Sequence, residues 1–231
     1  MNNTTYTPTI EASYDDGLRK MMNMIFGNTA IGLAITAIVA YVGNILNVHQ
    51  FIGPIGILIM AFMPMVLILT YAAIESKLSQ TGLWAFYFIF CSSFGVILSA
   101  LFSTYTASNI VSAFFMTSAL FLSASLYGYI TKQNLARFGS FLIIALLGLL
   151  IVSVFNLFFY SGIVTLVIQI STVIIFTGLT AYDVQNAKNE YVYKATVSST
   201  IDLSRMAMRY TLGLYLNFLN IFLALLGMQD D

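Results

Sequence analysis

Most of this chain lies in seven long apolar stretches, at about 25–46, 52–74, 82–104, 109–130, 138–160, 162–184 and 208–228. Each approaches the roughly 20 residues that a helix needs to cross the hydrocarbon core of a bilayer. Lipid accepts a helix that is apolar all round, and it demands that every backbone N–H and C=O be bonded within the segment. The composition agrees: 59% of the residues are apolar and 8% are charged, against about 25% charged in a soluble globular chain. The expected fold is all-α, a polytopic membrane protein. Residues 1–24 contain Glu11, Asp15 and Asp16 and no apolar run, so they are expected to form a polar tail rather than a cleaved signal. Residues 25–231 are expected to form one domain, with no repeat and no low-complexity segment.

The nine basic residues are Arg19, Lys20, Lys77, Lys132, Arg137, Lys188, Lys194, Arg205 and Arg209. All fall in or beside alternate connections: the N-terminal tail and the loops after the second, fourth and sixth stretches. Basic residues concentrate on the cytoplasmic side of a membrane, so the N-terminus is expected inside and Asp230 and Asp231 outside. Small residues recur every fourth position, as in Gly32, Thr36 and Ala40 or Gly95, Ser99 and Ser103, a spacing that lets helices approach closely or lines a polar path. Pro64, in the middle of its stretch, predicts a kink.

Several function classes are disfavoured. The net charge is zero and basic residues never run longer than the pair Arg19 and Lys20, so no electrostatic footprint for nucleic acid exists. His49 and Cys91 are the only histidine and cysteine, too few and too far apart for a zinc or iron site. Cys91 lies in an apolar run and is expected to be a small core residue. No nucleophile elbow, phosphate-binding loop, dinucleotide fingerprint or zinc-protease motif occurs, so no enzyme, resident metal or cofactor is expected. A retinal protein requires a lysine buried in a span, and none is present.

The segment "GLTAYDVQNAKNE" (178–190) closes an apolar stretch with Asp183. A carboxylate within a span costs about 2.5–3.5 kcal/mol at its centre on insertion scales, and such a group faces the bundle interior with a partner. At the end of a span the lesser alternative is a solvated residue terminating the helix. Arg205 and Arg209 are four apart and share a helical face, with Asp202 three residues before the first. That pattern fits a salt-bridged helix start, a lid or a docking surface.

Three separated segments, "SLYGYITKQNLARFGSFLIIALLGLLIVSVFN" (125–156), "FTGLTAYDVQNAK" (176–188) and "GLYLNFLNIFLALLG" (213–227), resemble the bacterial branch of the Bax inhibitor-1 family. The resemblance spans about residues 15–228. It implies seven transmembrane helices with the last enclosed by the other six, an inside N-terminus, and a calcium leak gated by protonation. In that gate the aspartate of "TAYD", here Asp183, pairs with an aspartate of the last helix, a position occupied here by Asn217 in "LYLNF". Two adjacent buried acids share a proton and respond to pH as a unit; with Asn217 only one member titrates. Lys77 stands near the position at which some members carry an arginine opposing the first aspartate, and Arg209 is a second cation at the same face. Asn220 would be a polar waypoint for a weakly held Ca2+, because a tight site needs six to eight oxygens. The stretch boundaries set Asp183 near the end of the sixth span and Asn217 about nine residues, roughly 13 Å, inside the seventh. Expected partners are the lipid bilayer and a permeant Ca2+. The rival expectation is a non-conducting regulator that binds a membrane protease or another inner-membrane protein through loops such as 185–207.

Overall fold

A computed structural model of the chain describes residues 8–48, 63, 66–197 and 202–229, with side chains from Asp15 onward. The described residues are all-α: α1 (Pro8–Ile45), α2 (Gln80–Leu98), α3 (Leu101–Thr104), α4 (Ala107–Ile130), α5 (Ala136–Phe158), α6 (Gly162–Val197) and α7 (Leu203–Gly227). A helical segment at 66–74 and a 3-10 turn at Glu75–Lys77 precede α2. Six spans among the described residues are long and apolar enough to cross a membrane, with α2 and α3 together forming one of them. Most of the expected 52–74 span, the Pro64 kink, His49, Asp230 and Asp231 lie outside the described residues.

Two expectations need correction, and for one reason. The stretch taken as a polar tail is helical from Pro8, and α1 runs 38 residues, about 57 Å, well beyond a hydrocarbon core of about 30 Å. Leu18, Met21, Met22 and Ile25 are buried, whereas Asp15, Asp16, Arg19 and Lys20 are exposed. The apolar residues recur at i, i+3, i+4 and i+7, so this is an amphipathic helix continuing out of the membrane span. Likewise 185–197, expected as part of a loop, continues α6 for more than three turns past the apolar run. Val184, Ala187 and Tyr191 join Leu18, Met21, Met206 and Tyr210 in one apolar cluster. A uniform hydropathy threshold ends a helix where polar residues begin; alternation at helical period carries both helices further.

α7 occupies the centre. Fifteen of its 25 residues are buried, and α1, α2, α4 and α6 pack around it while α5 packs against α6. Only Gly139 and Leu142 of α5 are buried, as suits a helix whose remaining surface faces lipid. The small-residue stripes serve packing. Thr36 and Ala40 are buried, and the Thr36 hydroxyl donates to the Gly32 carbonyl at 2.9 Å and lies 2.6 Å from the Tyr215 hydroxyl of α7. Cys91 is a fully buried member of the same core.

Helix starts follow local capping chemistry. The Ser79 and Thr106 hydroxyls accept from the backbone N–H of Gly82 and Asn109 at the starts of α2 and α4, and Asp202 accepts from Arg205 N–H at 3.0 Å at the start of α7; such caps satisfy donors that the helix leaves unpaired. That backbone N–H, followed by the Arg205 side chain, holds the Asp202 carboxyl below its ordinary range. Its small contribution to stability is therefore present at neutral pH and is lost as the pH falls through the lowered value.

The crossing of α4 and α6 is close because Gly128 carries no side chain: a Cβ there would run into the Ala181 backbone. Gly128→Ala is expected to cost about 1–3 kcal/mol by overpacking. Gly148→Ala, where a Cβ meets nothing within 4 Å, should leave stability unchanged or slightly raised. Thermal unfolding of the two purified variants in detergent checks the contrast.

Candidate functional site

α6 and α7 run antiparallel, joined through residues 198–202, and both extend past their apolar windows. Asp183 stands fourteen residues before the end of α6, and Asn217 stands fourteen after the start of α7. The depth difference expected from the hydropathy boundaries is therefore absent. Asn217 Nδ2 donates to Asp183 Oδ2 at 2.7 Å, with Asn217 buried and Asp183 half-buried.

Two turns nearer the connection a second polar pair joins the same helices. Glu190 is seven residues after Asp183, Tyr210 is seven before Asn217, and the Tyr210 hydroxyl donates to Glu190 Oε2 at 2.6 Å. Buried Ala187 and the glycine Gly213 occupy the interval. A Cβ on Gly213 would lie 3.6 Å from Asp183 Oδ2, in ordinary van der Waals contact with the carboxylate. Spacings of three and four on both helices are what a shallow crossing requires.

Above the Glu190 layer is a charged strap. Arg209 Nη2 lies 2.7 Å from Glu75 Oε1 and its Nη1 3.4 Å from Glu190 Oε1. Lys194 reaches the same Glu190 oxygen at 2.6 Å. Arg205 binds Asp202 at 3.2 Å and donates to the Glu75 and Leu78 backbone carbonyls. The strap ties the turn before α2 to α6 and α7. Gln185 binds another connection, accepting from Leu135 N–H at 2.8 Å and donating to the Gln133 carbonyl at 2.7 Å.

Of the candidate residues, Asp183 and Asn217 are brought together. Lys77 and Arg209 are not placed as ion-pair partners of Asp183: Arg209 is taken by Glu75 and Glu190, and Lys77 is exposed without an ion pair among the described residues. The cause is depth, since Arg209 is eight residues, about 12 Å, from Asn217 along α7. Asn220 is half-buried and donates to the Leu216 carbonyl of its own helix at 2.8 Å. Glu75, Glu190 and Tyr210 are the residues that sequence reasoning missed. For Glu190 and Tyr210 the available signal was the seven-residue interval from Asp183 and Asn217, hidden once α6 is ended at 184.

The chemistry available at the centre is a single carboxylate against an amide. Ionised Asp183 accepts the Asn217 N–H in a charge-assisted bond, roughly twice as strong as a neutral one. Once protonated, it becomes a donor that the amide oxygen can accept after a flip of the Asn217 side chain. Either state can be satisfied, with a different bond between α6 and α7.

Comparison with known proteins bears on the same residues. A family model described as "Inhibitor of apoptosis-promoting Bax1" matches residues 18–229, which include both helices of the central pair. The chain belongs to the Bax inhibitor-1 family. It is 40% identical over 213 residues to an uncharacterized protein of Borreliella burgdorferi, covering 90% of each chain. It is 34% identical over 213 residues to the inner membrane protein YbhL of Escherichia coli K12, covering 91% of each. An uncharacterized protein of Caulobacter vibrioides is 34% identical over 233 residues, covering 94% of this chain and 90% of its own. Membership extends across α1 to α7, so the central pair and the strap both lie in the part shared with this family of membrane proteins.

Arg209→Ala should leave Glu75 without its cation. Amide hydrogen exchange through residues 75–79 is then expected to quicken while the middle of α7 stays protected; unchanged exchange at 75–79 would show that the strap carries no local stability.

Proposed function

We propose that this protein is a pH-modulated calcium leak of the bacterial inner membrane, in which Asp183 is the gate and Asn217 its non-titrating partner. The observation that carries this reading is the 2.7 Å hydrogen bond between half-buried Asp183 and buried Asn217, which joins α6 to α7. An ionisable group held within spanning helices marks an ion or proton path. Its protonation exchanges a charge-assisted bond for a weaker neutral one at the contact of α6 and α7. The inner-membrane location rests on the bacterial relatives, one of them named an inner membrane protein. An inside N-terminus rests on the basic residues, which the helix connections gather at one end of the bundle.

Mechanistically, ionised Asp183 holds α6 to α7 and keeps the path closed. Protonation loosens that contact and lets Ca2+ pass transiently, with Asn217 and Asn220 as weak oxygen donors rather than a cage. Arg209, in this scheme, steadies the end of the path through Glu75 and Glu190 rather than gating it.

A second reading, a non-conducting regulator that binds a membrane protease or another inner-membrane partner, is favoured by the end of α6. There Tyr193 and Val197 are 67% and 64% exposed on a helix that has left the apolar span, which suits docking.

Calcium uptake by the purified protein in liposomes across pH separates the two. The parent should conduct more as the pH falls, Asp183→Asn should conduct without pH dependence, and Asn217→Asp should conduct more and respond more steeply to pH. No uptake by any variant, with a protease recovered in pull-downs, would support the regulator instead.

A further inference from the structure

Beside the polar centre, at the end where the basic residues collect, a cleft of about 370 Å³ opens between α1 and α4. Its walls are built from matching helical faces. Arg19, Met22 and Phe26 recur at i, i+3 and i+7 on α1, and Leu122, Ser125 and Tyr129 recur the same way on α4. The helices run in opposite directions, so Arg19 and Tyr129 stand together at the mouth while Phe26 and Leu122 stand together at the deep end. Seven residues of helix make the cleft roughly 10 Å long. Leu122 and Leu126 are 63% and 60% exposed, so the wall on α4 continues into the apolar surface that meets lipid.

Among the described residues, two polar groups in this cleft are left without partners. Arg19 is exposed and forms no ion pair among the described residues, although Asp15 and Asp16 precede it by one turn. Ser125 is 4% exposed, and its hydroxyl has no hydrogen-bond partner among the described residues. A helical serine in lipid ordinarily bonds the carbonyl one turn back, as Ser123 does to Ala119 at 2.7 Å. An unpaired buried hydroxyl is costly, and this one lines the cleft. Tyr129 is braced from the far side: Lys188 donates to its carbonyl at 3.1 Å and lies 5.1 Å from its ring centroid. The mouth is thus cationic, the middle holds a buried, unpaired hydroxyl, and the floor is apolar.

We infer that the cleft between α1 and α4 binds one anionic phospholipid, with the phosphate on Arg19, the ester region at Ser125, and the start of an acyl chain along Met22, Phe26 and Leu122. The order cation, donor, apolar wall follows the order phosphate, ester, chain at the depth where a bilayer presents them. Asn23, also on the α1 wall, supplies an amide donor next to the guanidinium. A single basic residue near an anionic membrane surface accounts for about a fivefold preference, and confinement of the chain fixes the lipid in one place.

The test uses the full-length protein in phosphatidylcholine nanodiscs with a trace of phosphatidylglycerol carrying a photoreactive diazirine near the start of one acyl chain. Cross-links are expected within 22–26 and 122–129. Arg19→Gln should reduce that labelling about fivefold without changing the unfolding midpoint, and Ser125→Leu should reduce it by filling the cleft. A phosphatidylcholine probe should label the same residues weakly and indifferently to Arg19→Gln. Unlabelled phosphatidylglycerol should compete, and glycerol phosphate, which has no chains, should not. Equal labelling by the two probes, labelling unaffected by Arg19→Gln, or full competition by glycerol phosphate would each overturn the inference.

Discussion

The contact between α6 and α7 governs the rest of this structure, because it is where polar side chains must find each other inside a bilayer. No water is available in lipid to correct a wrong register, so a carboxylate on one helix and an amide on the next either meet or remain unsatisfied. Asp183 meets Asn217, and two turns away, where α6 has left the apolar span, Glu190 meets Tyr210. Two bonds at the same seven-residue interval admit one antiparallel alignment of the helices. A slide of a turn would break both. α7 is then surrounded by α1, α2, α4 and α6, which bury its remaining faces with apolar groups such as Leu214, Phe218 and Ile221.

Basic and acidic groups at the connecting end extend this arrangement. Arg209 joins Glu75, from the turn before α2, to Glu190 on α6. Exposed ion pairs contribute little to stability individually. Their value here is positional: they hold the chain leading to α2 against the helices that carry the central pair. A change in the Asp183 bond therefore has a mechanical route to the end of the bundle, through two rigid helices and one strap.

How much of this could be read from the chain alone depends on which physical signal each feature leaves. Membrane spans are legible because lipid demands long apolar segments, and six are found where the stretches predicted them. Asp183 is legible as a carboxylate directly behind such a run, and Asn217 through the family resemblance. The ends of the helices are not legible from hydropathy, because α1 and α6 leave the membrane as amphipathic helices whose polar faces lower the average. Leu18, Met21 and Met22 betray that continuation only when helical period is weighed instead of mean hydropathy. Glu190 and Tyr210 were hidden by the same truncation. The placement of Arg209 on Glu75 follows from a chain reversal between residues far apart in sequence, which leaves no local signature.

Asn217 holds Asp183 at the contact of α6 and α7. A double-mutant cycle on the unfolding free energy, with Asp183→Ala, Asn217→Ala and the double variant in lipid bicelles, measures that interaction directly. Side-chain hydrogen bonds in membrane proteins couple by about 0.6 kcal/mol on average and reach about 1.7 kcal/mol, and a charge-assisted bond should fall in the upper part of that range. Coupling of that size at neutral pH, shrinking as Asp183 is protonated, is the predicted result. Strict additivity, to within about 0.3 kcal/mol, would contradict it.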